Sequence, residues 1–532
     1  MSTYTIQTSE TGLRYEAKQT SQGGSVFIKN AVVAYKLTSS AFTEITDVDY
    51  PSKHTYLLAS LTSSGVTATA TTTGANSLED GMIVTITGAT PSTYNGSWTI
   101  NATGSTTFEY NLGTATAAAS GSINAVGGFS TVPGVVYLDD YMFVQRTTGP
   151  ICNSDNSDIT AWNALAFITP EKEPSNAVAI AKSLNYLVAF KEWDTEFFYD
   201  AAVAAPASPL AVVDSSYLKL GCASADSVVE FDGGIVFMSK RDNLQRSREI
   251  HVLNGLTPKK VSDASVERLL NADDLTTVYG LYLSTAGHQF YVLTLVDTEI
   301  TLVYDFNTGF WYCWTILSAQ SPLTLSSLTQ SGGTATATKV AHGYLDGDPV
   351  TIAGANQAGY NGTFNITLVD ANTFTYAVDS ATVSPATGTI TSTGYDESYF
   401  PAVAYATYQN LDLVLHESDG TIYSLEIDSY QDNGMPINVH LRLPNWQGGT
   451  HHNKVVNRGQ LIADNVDSNV LVRYSDDDYN TFSTYRAQDL SVPTSKLTRL
   501  GMTQMRGYEF RHTDNTAFRA AEWEQEQTVS VL

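Results

Sequence analysis

Short apolar stretches separated by turn residues run through most of the chain. Leu184–Phe190 and Glu196–Tyr199 flank the pair Trp193-Asp194, and a second such hairpin is indicated around Asp139-Asp140. Runs rich in β-branched and aromatic residues between Asp, Asn and Gly favour strands joined by tight turns. The pattern therefore predicts an all-β protein built mainly from hairpins.

Several of these stretches are apolar on both faces of the expected strand, and Phe290–Val296 is the clearest example. A sheet with one face in water would alternate, so such a strand is expected between two other sheets. The turns at Asp139, Asp194, Asp232 and Asp297 lie 55, 38 and 65 residues apart, which is the scale of one β-sheet blade per unit. We predict a β-propeller of about six blades; a large β-sandwich is the structural alternative.

Helical periodicity is sparse in the sequence. The best candidate is Ala264–Leu270, which follows the possible N-cap residues Ser262 and Asp263. A short polar side chain immediately before an apolar-periodic run is a typical helix start. One short helix is therefore expected between strands.

An internal duplication interrupts the hairpin pattern. Residues 67–123 and 334–390 carry the same landmarks in the same order, at an offset of 267 or 266 residues. The matched pairs are Thr67–Thr71 with Thr334–Thr338, Asp80-Gly81 with Asp346-Gly347, Gly88-Ala89 with Gly354-Ala355, Tyr94-Asn95-Gly96 with Tyr360-Asn361-Gly362, Thr107-Phe108 with Thr373-Phe374, and Tyr110 with Tyr376. The Asp-Gly and Asn-Gly pairs predict tight turns between short strands, so each copy is expected to be a small closed β-barrel or sandwich. The copies resemble a small β module that is commonly inserted in phage virion proteins.

The repeats divide the chain into predicted domains. The propeller is assigned to residues 1–62, 126–322 and 394–436, and the two inserted modules to residues 63–125 and 323–393. From residue 437 the strand pattern changes, and residues 437–532 are predicted to form a C-terminal, β-sandwich-like platform domain. A chain of 532 residues is too long for a single ordinary core.

The charge of the chain argues against tight binding of nucleic acid. Charged residues make up 15% of the sequence and the net charge is −26, whereas an average soluble protein has about 25% charged residues. No Lys or Arg cluster occurs along the sequence, and proteins that hold phosphate need one. Like charge would let DNA pass without adhesion, so an acidic, non-adhesive lumen is expected if the protein surrounds DNA.

The cysteines Cys152, Cys222 and Cys313 are far apart and odd in number. We therefore expect three buried thiols in a reducing compartment rather than disulfides or a zinc site. The start of the chain, Met1–Thr5, is polar, and no run approaches the length of about 20 apolar residues that crosses a membrane. A protein without membrane insertion or its own secretion signal is expected.

Two motifs invite a site interpretation. Ser475, Asp477, Thr481 and Phe482 resemble an Asp-box, a hairpin motif of sialidases, although the usual Gly is replaced near Tyr479. Carboxylates in such boxes accept turn N–H groups, so a structural turn is favoured over calcium binding or catalysis. His451-His452 could ligate a metal, but adjacent strand residues point to opposite faces and no third ligand is suitably spaced.

Other candidates also favour structure over catalysis. The carboxylate pairs Asp139-Asp140 and Asp273-Asp274 lie in predicted turns, and Trp311 and Trp314 lie in a dense strand where core packing is favoured over a sugar platform. The sequence has no GxSxG, HExxH or GxxxxGK[ST] motif. We predict a protein that is not an enzyme, with no catalytic, cofactor-binding or metal-binding residue.

The central part of the chain resembles a phage family through several segments in a fixed order. These segments are Gly134–Tyr141, Ser154–Phe167 with its Trp162-Asn163-Ala164-Leu165-Ala166-Phe167 core, Asp194–Tyr199, Gly221–Ser224, Gly287–Thr294, Tyr304-Asp305 and Thr308–Trp311. They are similar to the packaged-DNA stabilisation or tail-hub proteins of short-tailed phages, which are also called nozzle proteins.

The resemblance implies a β-propeller subunit of a ring in the virion tail, assembled in the host cytoplasm and typically a homohexamer. Such a ring extends the DNA channel below the portal and the head-tail adaptor, retains packaged DNA before ejection, and contacts a tail needle or plug and tailspikes or fibres. No cofactor is implied. The alternative function is a carbohydrate-binding or host-receptor-binding β-propeller on the virion, suggested by the Asp-box and the many aromatic residues.

Overall fold

The computed structural model describes residues 15–20, 24–232, 234–241, 248–417, 420–493 and 495–529, so the predicted signal-free start Met1–Thr5 lies outside the described residues. The described chain is almost entirely β-structure. It divides into two compact units. The first runs to Ser284 and includes His288–Thr298 and Tyr304–Trp311, and the second contains Thr285–Gly287, Glu299–Val303 and the residues from Tyr312 onward.

Six antiparallel sheets of three to five strands follow one another in the described chain up to Leu425, outside the duplicated segments. We call them blades 1 to 6. Blade 1 contains Glu16–Gln19, Val26–Lys29, Ala34–Leu37 and Phe42–Glu44; blade 2 contains Val136–Leu138, Tyr141–Gln145, Ile151–Asp155 and Asp158–Ile168; blade 3 contains Ala177–Ser183, Tyr186–Lys191, Thr195–Asp200 and Leu210–Val212. Blade 4 contains Gly221–Cys222, Val229–Phe231, Gly234–Lys240, Arg248–Asn254 and Thr257–Lys260; blade 5 contains Val278–Thr285, His288–Leu295, Ile300–Asp305, Trp311–Ala319 and Tyr395–Tyr399; blade 6 contains Ala402–Tyr408, Leu411–His416 and Ile422–Leu425.

Successive blades of the first unit pack face to face. In blade 2, Met142 and Val144 pack against blade 1, whereas the intervening Phe143 packs against blade 3. In blade 3, Leu187 and Ala189 face blade 2, and the alternate residues of the same strand face blade 4. This two-sided burial explains why the strands are apolar at consecutive positions.

Blade 5 is an antiparallel meander that contains most of the apolar run Phe290–Val296. Its strands follow one another in chain order, and Tyr291 through Leu295 are all buried. Within the first unit, Tyr291 Oη donates to Ser227 O of blade 4 at 2.8 Å, and Phe306 stacks on Phe231 with ring centroids 4.4 Å apart. Blade 4 is therefore packed on both sides.

The single α-helix of the described residues is Ala264–Ala272, slightly longer than the predicted Ala264–Leu270. Asp263 is its N-cap, because the carboxylate accepts hydrogen bonds from Ser265 N and Val266 N. Short 3₁₀ turns lie at Ser92–Tyr94, Ala225–Ser227 and Ala358–Tyr360. The predicted sparseness of α-helix is confirmed over the described residues.

The first duplicated segment forms a closed barrel of six strands, Lys53–Ser64, Thr67–Thr72, Ile83–Thr87, Gly96–Gly104, Thr107–Asn111 and Asn124–Gly128. The barrel extends beyond residues 63–125 at both ends, because its last strand closes onto the first half of Lys53–Ser64. Phe129 N donates to Ser52 O at 3.1 Å, so the chain leaves the barrel beside the point where it enters. Adjacent ends of this kind suit an inserted domain.

The second segment repeats the pairing with two interruptions. Its strands are Leu323–Thr324, Ser327–Ser331, Thr334–Thr338, Pro349–Ala353, Gly362–Asn365, Thr367–Asp370, Thr373–Ala377 and Thr391–Thr393. Two strands of the first barrel are each split here, so the same strand order gives two four-stranded sheets. Gln320 N donates to Gly394 O at 2.9 Å, and the ends of this insert are again adjacent.

The two modules share internal contacts as well as strands. Asn95 Oδ1 accepts from Ala89 N and Asn95 Nδ2 donates to Ala89 O, both at 2.9 Å. Asn361 makes the same two bonds with Ala355 at 3.0 and 2.8 Å. The pair Gly88 and Gly121, like Gly354 and Gly388, lies at positive φ where a Cβ would fall within 2.4 Å of a carbonyl oxygen of the facing strand. The repeated landmarks in the sequence are therefore the residues that hold the module turns.

The C-terminal domain is a sandwich of two four-stranded sheets. One contains Val439–Arg442, Gly507–His512, Asn469–Ser475 and Arg486–Asp489; the other contains Lys454–Ala463, Leu497–Thr498, Met502–Thr503 and Ala520–Val529. A short hairpin, Gln431–Asp432 and Met435–Pro436, precedes it. The core between the sheets includes Val456, Val470 and Phe510.

A completely buried carboxylate organises the outer face of the first of these sheets. Glu509 receives hydrogen bonds from Arg442 Nη2 at 2.8 Å, Arg473 Nε at 2.6 Å and Tyr485 Oη at 2.8 Å, and His440 Nε2 lies 3.1 Å away. Burial alone would raise the pKa of Glu509, but the hydrogen bonds from His440, Arg442 and Tyr485 outweigh it and hold the pKa far below its usual range. The charged form is therefore part of the folded state.

The cysteine prediction needs one correction. Cys152 and Cys222 are buried, but Cys313 is exposed because its strand, Trp311–Ala319, has exposed side chains at consecutive positions near its start. Burial raises the pKa of Cys152 to about 11 and that of Cys222 to about 12. Those two side chains behave as small apolar core groups.

Replacing the side-chain amide of Asn95 or Asn361 should destabilise the module that contains it. We expect Asn95→Ala and Asn361→Ala to cost about 1–3 kcal/mol each, because buried turn groups of Ala89 or Ala355 lose their partners. Hydrogen exchange should show faster exchange in the strand containing Phe108 or Phe374, only in the altered copy. Asn111→Ala, which removes an exposed bond to Gly113 N, is the control and should change stability by less than about 0.5 kcal/mol. Equal exchange in both variants and the control would contradict this role.

Neutralising Glu509 should destabilise the C-terminal domain. We expect Glu509→Gln to lower the unfolding free energy by about 3 kcal/mol at pH 7, because two arginines lose a buried partner. A carboxylate with a lowered folded-state pKa stabilises above the unfolded-state pKa of about 4.3 and loses this contribution as pH falls. The difference between wild type and variant should therefore shrink below pH 4 in urea unfolding followed by tyrosine and tryptophan fluorescence. Glu526→Gln, which removes an exposed pair with Arg458, should have little effect at any pH.

Candidate functional site

The natural place for a site in a propeller is the region where the first strands of the blades converge. Glu16–Gln19, Val136–Leu138, Ala177–Ser183 and Val229–Phe231 are neighbours there in the first unit. Their inner edges are unprotected by further strands, so their N–H groups need other partners. Charged side chains of neighbouring blades supply them.

Two glutamates carry most of these contacts. Glu16 accepts from Gly134 N with both carboxylate oxygens, at 2.9 and 2.8 Å, and pairs with the buried Lys29 at 3.1 Å. Glu230 accepts from Lys182 N at 2.7 Å and pairs with Lys18 at 2.5 Å. These bonds join blade 1 to blade 2, blade 4 to blade 3, and blade 1 to blade 4.

Gly134 is required at its position. Its φ is +97°, and a Cβ there would lie 1.8 Å from Ile180 O. Only glycine allows the backbones of blades 2 and 3 to approach so closely. The Gly134–Tyr141 segment noted in the sequence thus begins at a contact between two blades.

The space left between these inner strands is small. A cavity of about 160 Å³ lies beside Glu16 and Glu230, and an open recess of about 540 Å³ is lined by Lys18, Tyr137 and Lys182. Neither could admit a DNA duplex. Ion pairs and close backbone packing bring these inner strands of the first unit together.

The Asp-box residues form a hydrogen-bonded turn. Asp477 accepts from Thr481 N at 2.8 Å and from Thr481 Oγ1 at 2.6 Å, while Ser475 Oγ accepts from Tyr479 N at 2.9 Å. These hydrogen bonds, from Thr481 foremost, lower the pKa of Asp477. Its carboxylate is thus committed to the turn.

The neighbouring Asp476 anchors a buried cation. Both of its carboxylate oxygens accept from Arg506, at 2.7 and 2.8 Å, and the Arg506 side chain is almost completely buried. A bidentate pair of this kind fixes both side chains. The Asp-box segment therefore contributes to the packing of the C-terminal domain.

The other sequence candidates lie apart from one another. His451 and His452 are exposed in the loop before Lys454. No group of three or more His, Cys, Asp or Glu side chains with metal-binding geometry occurs among the residues that the structure describes.

The paired carboxylates serve turns. Asp139 and Asp140 both have positive φ, as expected in the tight turn of a hairpin, and Asp140 accepts from Tyr137 Oη at 2.8 Å. Asp273 is buried and accepts from Leu275 N, Thr298 N and Thr298 Oγ1 at 2.7, 3.0 and 2.9 Å. These hydrogen bonds stabilise the turns and loops in which the carboxylates lie.

Trp311 and Trp314 are half-buried rather than fully buried. Trp311 Nε1 donates to Val261 O at 2.9 Å and its ring packs on Tyr304. The ring of Trp314 packs edge-on against Phe400, with centroids 5.5 Å apart. Both indoles thus have packing partners.

A constellation that sequence reasoning missed joins Ser239, Glu249 and His251. Ser239 Oγ lies 2.9 Å from His251 Nδ1, and His251 Nε2 lies 3.7 Å from Glu249 Oε2. Ser239 is completely buried and its hydroxyl donates to Glu249 O, so no substrate could reach it. Burial lowers the pKa of His251 to about 4. These residues come from two paired strands, which the sequence spacing alone does not reveal.

A second missed cluster lies in blade 3. Lys191 is buried with Asp194 at 3.1 Å and Glu196 at 2.9 Å, and Ser175 Oγ donates to Asp194 at 2.5 Å. Each charge has a partner of opposite sign, as buried charges require. The Asp194–Tyr199 segment is thus held by a buried ionic network.

No helix in the described part of the chain is long and apolar enough to span a bilayer. Comparison with curated protein sequences gives no match. Similar solved structures include BamB from Moraxella catarrhalis, with 11% identity over 60% of this chain and 77% of that chain at a TM-score of 0.25. The computationally designed protein Ika8 has 11% identity over 77% and 95% at a TM-score of 0.27, and the exo-beta-1,3-galactanase of Phanerochaete chrysosporium has 9% over 74% and 95% at 0.24. These scores are too low to support an argument.

The family described as bacteriophage P22 Gp10, beta-propeller, matches residues 8–327, which is more than half of the chain. This range contains blades 1 to 4, most of blade 5 and the whole first module. The match agrees with the face-to-face blades and with the resemblance noted in the segments from Gly134 to Trp311. The chain belongs to the bacteriophage P22 Gp10 β-propeller family and is a structural protein of a phage tail.

Proposed function

We propose that the chain is the subunit of a nozzle or hub ring in a short-tailed phage, which extends the DNA channel below the portal and adaptor and retains packaged DNA. The observation that carries this proposal is the family match over residues 8–327. The ring is proposed to be a homohexamer in the virion tail that contacts the head-tail adaptor, a needle or plug, and tailspikes or fibres.

The closely packed inner strands of the first unit support a channel formed between subunits rather than through one of them. Ion pairs of Glu16 and Glu230 join these strands, and the cavity of about 160 Å³ beside them is too small for DNA. We infer that a passage for a duplex is enclosed by several copies of the chain. A repeated head-to-tail interface gives a closed ring when the rotation between successive copies closes.

The charge of the chain supports transient passage of DNA without adhesion. The net charge is −26, and two arginines of the C-terminal domain, Arg442 and Arg473, are paired with Glu509. Repulsion between like charges suppresses contact with phosphate. We infer that the wall of the channel is acidic.

The anchoring of the modules supports a role as fixed outer platforms. Within the first unit, Arg146 lies over the Phe129 ring at 3.6 Å and pairs with Glu79 of the first module at 3.4 Å. Within the second unit, Arg511 of the C-terminal domain pairs with Asp348 of the second module at 3.2 Å. Rigid platforms of this kind suit attachment of other tail components.

The chemistry of the described residues supports a non-catalytic role. Ser239 and His251 are buried, and the Asp-box carboxylates are committed to turn and packing contacts. A carbohydrate-binding or receptor-binding role on the virion is the second candidate function, and it is favoured by a groove beside Trp446 in the C-terminal domain.

The ring is testable with purified full-length protein. We expect native mass spectrometry to show one closed oligomer, and negative-stain images to show rings that match a layer of the phage tail. Copies added to tails that lack this protein should complete them. A monodisperse monomer that never joins the tail would overturn the proposal.

The acidic channel predicts weak interaction with DNA. At physiological salt, we expect linear duplex DNA to show no mobility shift with the assembled protein at about 10 µM, because phosphate binding needs uncompensated cations. Micromolar binding with a steep salt dependence would show a cationic channel and contradict the inference. A known cationic DNA-binding protein in the same gel is the positive control.

A further inference from the structure

An open groove of about 800 Å³ lies in the C-terminal domain. One wall is the loop Leu443–Trp446, and the other is the strand Ala520–Val529, which lies at the edge of its sheet. All of these residues belong to the second unit. The volume falls in the range of about 300–1,000 Å³ that small-ligand sites occupy.

A tryptophan is presented at the groove on a fixed backbone. The Trp446 side chain is 36% exposed, although the residue forms a β-bridge with the buried Arg506. Trp446 N donates to Arg506 O at 2.9 Å, and Arg506 N donates to Trp446 O at 3.1 Å. An exposed indole held in this way loses little conformational freedom when a ligand stacks on it.

A second tryptophan contributes to the lining. Trp523 packs on Tyr508 with ring centroids 4.5 Å apart, and it lies directly over Gly459. A Cβ at Gly459 would come within 2.2 Å of the indole. Glycine at position 459 therefore leaves the space that the Trp523 indole occupies.

The polar side chains of the lining differ in whether a ligand can reach them. Asn445 Nδ2 donates to Asp478, and Asn445 Oδ1 and Trp523 Nε1 are buried and inaccessible to a ligand. Glu522 and Glu524 are exposed at the groove. Their carboxylates can accept hydrogen bonds from ligand hydroxyl or ammonium groups.

Carboxylates outnumber cations around the groove. Glu522, Glu524 and Glu526 line it together with Arg458 and Lys496, and Arg458 is paired with Glu526. The remaining carboxylates favour a neutral ligand or one with amino groups over an anionic ligand. They also protect the strand edge against addition of another strand, which argues against an extended peptide as the occupant.

We propose that this groove binds a neutral or amino-sugar oligosaccharide of a bacterial surface. Aromatic side chains offer apolar faces to the C–H groups of a sugar ring, and carboxylate groups accept hydrogen bonds from its hydroxyls. Trp446 supplies the stacking face. Glu522 and Glu524 supply polar contacts. This site is independent of the proposed ring and lies outside the residues matched by the family.

The test uses full-length protein on an array of bacterial surface glycans with neutral, amino-sugar and uronic-acid members. We expect binding to neutral or amino-sugar glycans and none to uronic-acid glycans. The strongest array glycan is then titrated by tryptophan fluorescence. Trp446→Ala should weaken binding at least tenfold, and Trp446→Phe, which keeps an aromatic face, should retain part of it. Phe310→Ala removes another exposed aromatic ring, outside the groove, and should leave binding unchanged.

A second variant keeps the proposal testable if Trp446→Ala does not fold. Glu524 is exposed, so Glu524→Lys should fold normally and shift preference towards uronic-acid glycans. Binding of no glycan, equal binding by wild type and Trp446→Ala, or unchanged preference in Glu524→Lys would each overturn the proposal. Loss of assembly in Trp446→Ala without glycan binding by wild type would show instead that the groove is a protein interface. These outcomes leave the ring proposal untouched.

Discussion

Burial of both faces of the blade strands is the constraint on which the first unit depends. Phe143 packs towards blade 3, while Met142 and Val144 pack towards blade 1. Blade 2 therefore contributes side chains to two hydrophobic cores, one shared with each neighbouring blade. Polar substitutions in the strands of such a blade would disrupt its packing against both neighbouring blades. The same constraint leaves the inner strand edges as the place where polar groups meet, and Glu16 and Glu230 satisfy them. Packing and hydrogen bonding together bring the inner strands of the first unit close to one another, and the cavity beside Glu16 and Glu230 has a volume of only about 160 Å³.

Much of this architecture could be predicted because it has a local signature. Phe290–Val296 is apolar on both faces, and the structure buries Tyr291 through Leu295 completely or almost so. Asp263 is one of the two caps that the sequence predicts, and its carboxylate accepts hydrogen bonds from Ser265 N and Val266 N at the start of the helix. Asn95 and Asn361 stand at matched positions, and they make matched hydrogen bonds. In each case the residues that determine the structure are close in sequence or repeated.

The Glu509 cluster, which the sequence does not reveal, combines residues that are far apart in the chain. Glu509 gathers Arg442, Arg473 and Tyr485 from positions 67, 36 and 24 residues away, and nothing near any one of them marks the partnership. Cys313 is exposed near the start of Trp311–Ala319, and the number and spacing of the cysteines do not indicate this. The groove beside Trp446 likewise needs Ala520–Val529 to lie at a sheet edge. Aromatic and acidic residues were evident in the sequence, but their convergence is a property of tertiary structure.

The two modules show how a duplicated domain can keep its core and change its surroundings. The amide bonds of Asn95 and Asn361 are internal and shared, whereas the anchors differ. Glu79 pairs with Arg146, but the residue at the equivalent place in the second copy, Leu345, is exposed, and this copy is held instead by Arg511 and Asp348. A barrel whose chain ends lie side by side can be inserted wherever two neighbouring strands offer room. Its stability is then set by the conserved interior, and its role is set by the few surface residues that each copy presents to a different neighbour.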